Sequence, residues 1–157
     1  MDRKRALVWI VGILKKNKIP FQVVGGLAAR AWGSKRELWD IDLIVPEEAL
    51  GKLADLTKDY GVEGPDYSKS DESWQNYSYL ELNYNEQNIE IAATTEETKI
   101  FDKQTKKWTP WIVDFSKSVM KEVEGLELPV MPLKSLLDYK KKLNRKVDKI
   151  DIMELTK

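Results

Sequence analysis

Two aspartates, Asp40 and Asp42, stand one residue apart inside an apolar run, LWDIDLIV, a short way past a glycine pair, Gly25 and Gly26. In a strand, residues i and i+2 point to the same face, so these two carboxylates would lie side by side. Keeping both ionised next to an apolar core is costly unless a cation neutralises them. The plain alternative is a strand that ends at Asp40, with the pair solvated. The apolar LIV after Asp42 weighs against it, because the chain stays buried past the pair.

Composition narrows the chemistry. The 157-residue chain contains no cysteine and no histidine. That excludes disulfides, thiolate zinc sites, cysteine nucleophiles, serine–histidine triads and histidine-ligated zinc. Any catalysis must use carboxylates, Lys, Arg, Tyr, Ser or Thr. Oxygen ligands favour Mg²⁺, Mn²⁺ or Ca²⁺. Basic and acidic residues balance at 26 each, which weighs against a nucleic-acid-coating protein. No apolar run is long enough to cross a bilayer. The basic-then-apolar start reads as an amphipathic helix of a cytoplasmic protein rather than a signal peptide.

The length suits one domain over 1–157, with a core of about 18–95 and C-terminal strands and helices over about 118–157. Leu7, Ile10, Val11 and Leu14 recur at helical spacing and predict a helix over 3–17. FQVV reads as a short buried strand, Gly25 and Gly26 as a turn, and LAARAW as one or two helical turns closed by Gly33. LWDIDLIV reads as a strand that Pro46 terminates, with Pro46 at the first helical position of the next helix. Residues 61–75 read as irregular. YSYLELNY and NIEIAAT, separated by NEQ, read as a hairpin. DKQTKKWTP reads as a polar loop, SVMKEVEG and LELPVM as two strands around Gly125, and PLKSLLDYKKKLN and KVDKIDIMEL as helices. The expected class is α+β, a small mixed sheet flanked by helices.

A glycine pair between strand and helix lets backbone approach a ligand, and the helix start offers free N–H groups that suit phosphate. A plain strand–helix turn is the competing reading, and no Walker-type sequence is present. Glu90, between Ile89 and Ile91, alternates with apolar neighbours. If its strand lies beside residues 39–45, it joins Asp40 and Asp42 on one sheet face. Three carboxylates there form a divalent-metal site of the kind used in phosphoryl transfer. Glu81, in YLELNY, has the same local pattern and is the rival third ligand.

VVGG, then DIDLIV, then IEIA resembles the nucleotidyltransferase superfamily that includes DNA polymerase β. GGLAARAWGSKRELWDIDLIV is similar to small proteins related to lincosamide and aminoglycoside nucleotidyltransferases. LLDYKKKLNRKVDKIDIMEL resembles the C-terminal helices of such proteins, with a Lys, an Arg, then Asp148 and Asp151. The resemblance covers residues 21–45, 80–92 and 130–155, and Glu at the third acidic position departs from the more usual Asp.

The resemblance implies a nucleotidyltransferase fold and two Mg²⁺ (or Mn²⁺) ions between the carboxylates and a nucleoside triphosphate. Asp40 and Asp42 would bind both ions. Glu90 would hold the ion nearest the acceptor and help deprotonate its hydroxyl, which attacks the α-phosphate as pyrophosphate leaves. Gly25 and Gly26 would meet the β- and γ-phosphates. Arg30, Lys35 and Arg36 are candidates to balance phosphate charge, against an equal reading as solvated side chains.

Trp32 and Trp39 could stack on a base, with core packing the favoured role. Trp108 and Trp111 could cover a substrate or close a loop. Lys140, Lys141 and Lys142 read as a solvated helix face. The resemblance implies an acceptor hydroxyl on a small molecule or a protein. A chain this small would take further substrate-binding surface from its C-terminal helices, a homodimer mate or a partner protein. The competing function is a catalytically weak member of the fold acting as a regulatory or toxin–antitoxin component.

Overall fold

A computed structural model describes residues 2–157. Helix α1 (Arg3–Lys16) starts where the Asp2 side chain accepts the Arg5 N–H, and it buries Ala6, Leu7, Ile10, Val11 and Leu14. Strand β1 (Gln22–Val23) and helix α2 (Gly25–Ala31) follow, then β2 (Asp40–Pro46) and α3 (Glu47–Leu56). Strands β3 (Gly61–Lys69), β4 (Trp74–Tyr84), β5 (Gln87–Asp102), β6 (Lys107–Pro110), β7 (Val119–Val123) and β8 (Leu126–Val130) complete the sheet. Helices α4 (Leu133–Leu143) and α5 (Lys146–Leu155) close the chain. No described helix is long and apolar enough to cross a membrane.

The eight strands form one mixed sheet in the order β3-β4-β5-β2-β1-β8-β7, with β6 on the far half of β5. The pair that positions the site is β2 with β5, parallel and in register from Asp40 opposite Asn88 to Pro46 opposite Thr94. Ile41, Leu43, Ile89, Ile91, Leu80 and Leu82 are all buried. Alternation sends Asp40, Asp42 and Glu90 to the opposite face from Ile41, Leu43, Ile89 and Ile91.

Four expectations change. Residues 61–69 form strand β3 rather than an irregular segment. The strand lies at the sheet edge, is exposed along most of its length, and slips register against β4 three times. It therefore carries no apolar alternation from which a strand could be read. Gly25 and Gly26 open helix α2 itself, with Val24 as its N-cap, rather than forming a separate turn. Pro46 is the last residue of β2 and the N-cap of α3, one position earlier than expected. Residues 107–110 of the polar loop are strand β6, which pairs with an extension of β5 well past NIEIAAT.

Candidate active site

The in-register pairing places Asp42 directly opposite Glu90. Both, with Asp40, line a cavity of about 470 Å³. Its walls are the polar face of β2, β5 and β4, the start of α2, and the α4–α5 corner with Tyr139, Leu143, Arg145 and Val147. Gly25, Gly26 and Arg36 line it as well. Glu81 does not. It sits opposite Glu90 on β4, one strand further out, where it accepts from the Tyr79 hydroxyl at 3.4 Å. Arg30 and Lys35 also lie off the cavity wall. The Arg30 guanidinium donates to the Arg36 carbonyl, and the Lys35 N–H donates to Glu154.

The glycine pair has a local physical reason. Gly25 has φ +61°, and a Cβ built there would stand 2.5 Å from Asp42 Oδ2. A Cβ at Gly26 would stand 2.6 Å from Arg36 Nη2 and 2.8 Å from Leu38 Cδ2. The space is thus filled by the Asp42 carboxylate and the Arg36 guanidinium. Gly26 N–H donates to Asp42 Oδ2 at 3.3 Å, so the start of α2 faces a carboxylate of this chain. Asp40 is oriented by Asn88, whose Nδ2 donates to Asp40 Oδ1 at 3.1 Å.

Burial pushes the Asp42 carboxyl up, and repulsion from Asp40 adds to this. A hydrogen bond with Glu90 and the N–H of Gly26 act in the other direction without overcoming it. Glu90 is pushed up to about 7, first by burial and then by the charges of Asp42 and Asp40. Among the described residues no three acidic side chains are arranged to hold an ion as they stand. The donor set nevertheless fits a hard divalent cation. Three oxygen-donor side chains share one face, and burial and mutual repulsion hold two of them toward protonation, a cost that such a charge would relieve.

The raised Glu90 carboxyl has a sign for stability. Between its ordinary value of 4.5 and about 7, the unfolded chain is ionised while the folded chain keeps its proton. Folding then binds protons, so stability falls as pH rises through this window. Melting temperature in chelated buffer is expected to drop from about pH 5 to about pH 8, and Glu90→Gln is expected to flatten that drop. Equal slopes for the two proteins in thermal melts would show that Glu90 ionises freely in the folded state.

The tryptophans divide by role. Trp39 lines the cavity and is 64% exposed, so it is not a core residue. Trp32 is partly buried, donates to the Met131 carbonyl and lies under Lys121 Nζ at 4.1 Å. Trp111 lines the cavity and packs edge-on against Trp74 and Tyr139, whereas Trp108 packs on Phe101.

Lys140 departs most from its expected place. It is fully buried rather than solvated, and its Nζ stands 2.9 Å from Asp151 Oδ2 and 3.3 Å from Asp148 Oδ1. A signal for this was present in the sequence, since Leu136, Lys140 and Leu143 share the buried stripe of α4. Tyr77, Tyr79, Asn88 and Tyr139 stand at or beside the site without having been singled out, and Arg145, the arginine of the C-terminal resemblance, lines it as well.

No family model matches the sequence, and no curated protein matches it. Solved structures do. A Thermotoga maritima protein assigned provisionally as a nucleotidyltransferase is 24% identical, with a TM-score of 0.73 over 98% of this chain and 92% of its own. The lincosamide antibiotic adenylyltransferase LnuA, solved with lincomycin bound, is 15% identical, with a TM-score of 0.65 over 99% of this chain and 97% of its own. ANT(2'')-Ia, solved in complex with adenylyl-2''-tobramycin, is 16% identical, with a TM-score of 0.57 over 98% of this chain and 87% of its own.

Proposed function

We propose that this chain, which has the nucleotidyltransferase fold, moves a nucleoside monophosphate from a nucleoside triphosphate to a hydroxyl on a small molecule or protein. The observation that carries this reading is the set of Asp40, Asp42 and Glu90 on one sheet face, in a cavity shared with Gly25, Gly26 and Arg36. Asp40, Asp42 and Glu90 would hold Mg²⁺ or Mn²⁺. Such an ion supplies charge stabilisation for phosphate oxygens and lowers the cost of ionising an acceptor hydroxyl. Glu90, on the same face, would take the acceptor's proton as its hydroxyl attacks. Arg36 offers a guanidinium to phosphate oxygens, and the close approach at Gly25 and Gly26 keeps it beside the carboxylates. Arg30 and Lys35, off the cavity wall, would act on phosphate only through a change in the 33–38 segment.

The solved relatives support the class of substrates. One is an adenylyltransferase holding lincomycin and another holds an adenylylated tobramycin, so a nucleotide donor and a hydroxyl-bearing acceptor are the chemistry to test. The exposed ring of Trp39 at the cavity edge is available to stack on a base.

Among the described residues no three acidic side chains are arranged to hold an ion as they stand, which favours a second reading, a weak or inactive member that acts through protein binding. Calorimetric titration with ATP, GTP, CTP and UTP, with and without Mg²⁺, separates the two. The transferase reading expects metal-dependent binding of at least one triphosphate, lost in Asp40→Ala/Asp42→Ala. Absence of binding to all four with either Mg²⁺ or Mn²⁺ would leave the second reading.

A further inference from the structure

Resting on the reading above, we propose that Lys140 is a positioning residue that sets two arginines, Arg36 and Arg145, as the arms of a polyphosphate clamp. Arg145 thereby becomes part of the triphosphate site.

The connections run through buried charge. Lys140, Asp148 and Asp151 are each 0% exposed. From the Lys140 ammonium one branch reaches Asp151, whose Oδ1 accepts from Arg36 Nε at 2.8 Å and from Ser34 Oγ at 2.7 Å. The other reaches Asp148, which accepts from Arg145 Nε at 2.7 Å, Arg145 Nη2 at 3.1 Å and the Arg145 backbone N–H at 3.0 Å. One buried cation thus holds two carboxylates, and each carboxylate fixes one guanidinium. Both arginines line the cavity that holds Asp40, Asp42 and Glu90.

The orientation of those guanidiniums suits an anion. Arg36 uses Nε on Asp151 and Nη1 on the Glu37 carbonyl at 3.3 Å, and among the described residues its Nη2 has no acceptor. Arg145 uses Nε and Nη2 on Asp148, and its Nη1 likewise has none. Each guanidinium is therefore fixed through one edge with a donor left over. Such pre-organisation spares the ordering entropy that a free arginine loses on binding.

The charge pattern agrees. Burial opposes ionisation of Asp148 and Asp151, yet hydrogen bonds from Arg145 to the first, and from Arg36 and Ser34 to the second, together with the Lys140 charge, hold both below the ordinary carboxylate range. Two carboxylates against the three basic side chains Lys140, Arg36 and Arg145 leave one formal positive charge in the network. It faces a cavity whose opposite wall is acidic, as a metal-bound polyphosphate would require.

A purely structural network would stabilise the fold and leave polyphosphate affinity alone. The discriminating experiment is a titration of Mg²⁺-ATP and of Mg²⁺ with inorganic tripolyphosphate against Lys140→Met, Arg36→Met/Arg145→Met and the triple variant. Circular dichroism checks folding. Lys140→Met is expected to weaken both ligands by on the order of tenfold, as misplaced binding groups do. In the Arg36→Met/Arg145→Met background the same change is expected to shift affinity by less than about twofold, because Lys140 acts through those two residues.

If Lys140→Met does not fold, Ser34→Ala carries the test. It removes one partner of Asp151 next to Arg36 Nε, and it is expected to weaken the ligands a few-fold only while Arg36 is present. A folded variant of either kind that binds like wild type, or an undiminished loss in the arginine-free background, would overturn the proposal. Wild type that binds neither ligand would instead overturn the transferase reading, and this inference with it.

Discussion

Asp42→Asn is expected to lower nucleotidyl transfer by on the order of a thousandfold, while the protein melts no lower, and in chelated buffer higher, than wild type. Both effects follow from one carboxylate. Asp42 lies on β2, opposite Glu90 and against the backbone of Gly25. Burial and Asp40 make its charge costly, so a neutral side chain of the same shape relieves that cost. The amide oxygen of Asn still accepts the Gly26 N–H that Asp42 accepts now at 3.3 Å, so local geometry survives. What is lost is a charged oxygen donor to a metal ion, which an amide replaces poorly. Such a trade of stability against activity is a recurrent property of functional sites. Transfer rates and thermal melts on one preparation check it. Unchanged transfer would remove Asp42 from the chemistry, and a marked fall in melting temperature would mean that its charge is compensated in the folded state.

Gly25→Ala is expected to cost transfer on the order of a hundredfold by displacing that same carboxylate. The added methyl would stand 2.5 Å from Asp42 Oδ2, 2.9 Å from its Cγ and 3.0 Å from its Cβ. Backbone at φ +61° adds about 1–2 kcal/mol of strain for a residue with a Cβ. Asp42 cannot swing away cheaply, because its strand is paired on both sides, with β1 and β5. Gly26→Ala makes an informative partner. Its methyl meets Arg36 Nη2 at 2.6 Å, the far end of a flexible side chain, and Leu38 Cδ2 at 2.8 Å. It should therefore weaken triphosphate binding more than it slows the bound complex. Steady-state kinetics on both variants separate the two, with kcat carrying the Gly25 effect and KM the Gly26 effect. Gly25→Ala with kcat within about fivefold of wild type would show that Asp42 tolerates the shift.

The central strands were legible because their residues report their surroundings. Asp40 and Asp42 sit in a buried run, and Glu90 alternates with Ile89 and Ile91, so the shared face follows once β2 and β5 are neighbours. That neighbourhood itself was not readable from either segment. It depends on a parallel pairing between elements far apart in sequence, and it places Glu90 rather than Glu81 on the cavity wall. Strand β3 was hidden because an edge strand exposed along most of its length has no apolar period to display.

The glycine pair was visible, but its partners were not. Only the folded chain shows that Asp42 and Arg36 occupy the space a Cβ would need. Lys140 was misjudged by its neighbours Lys141 and Lys142, although its spacing from Leu136 and Leu143 put it on the buried side of α4. A buried lysine makes sense only with its counter-charges in place, and Asp148 and Asp151 arrive from the next helix.

The most direct test is a crystal structure with Mn²⁺ and a non-hydrolysable triphosphate, with the ion located by its anomalous signal. The account predicts Mn²⁺ bound by Asp40, Asp42 and Glu90, and phosphate oxygens within hydrogen-bond reach of Arg36. Mn²⁺ bound elsewhere, or a triphosphate seated away from β2 and β5, would contradict it.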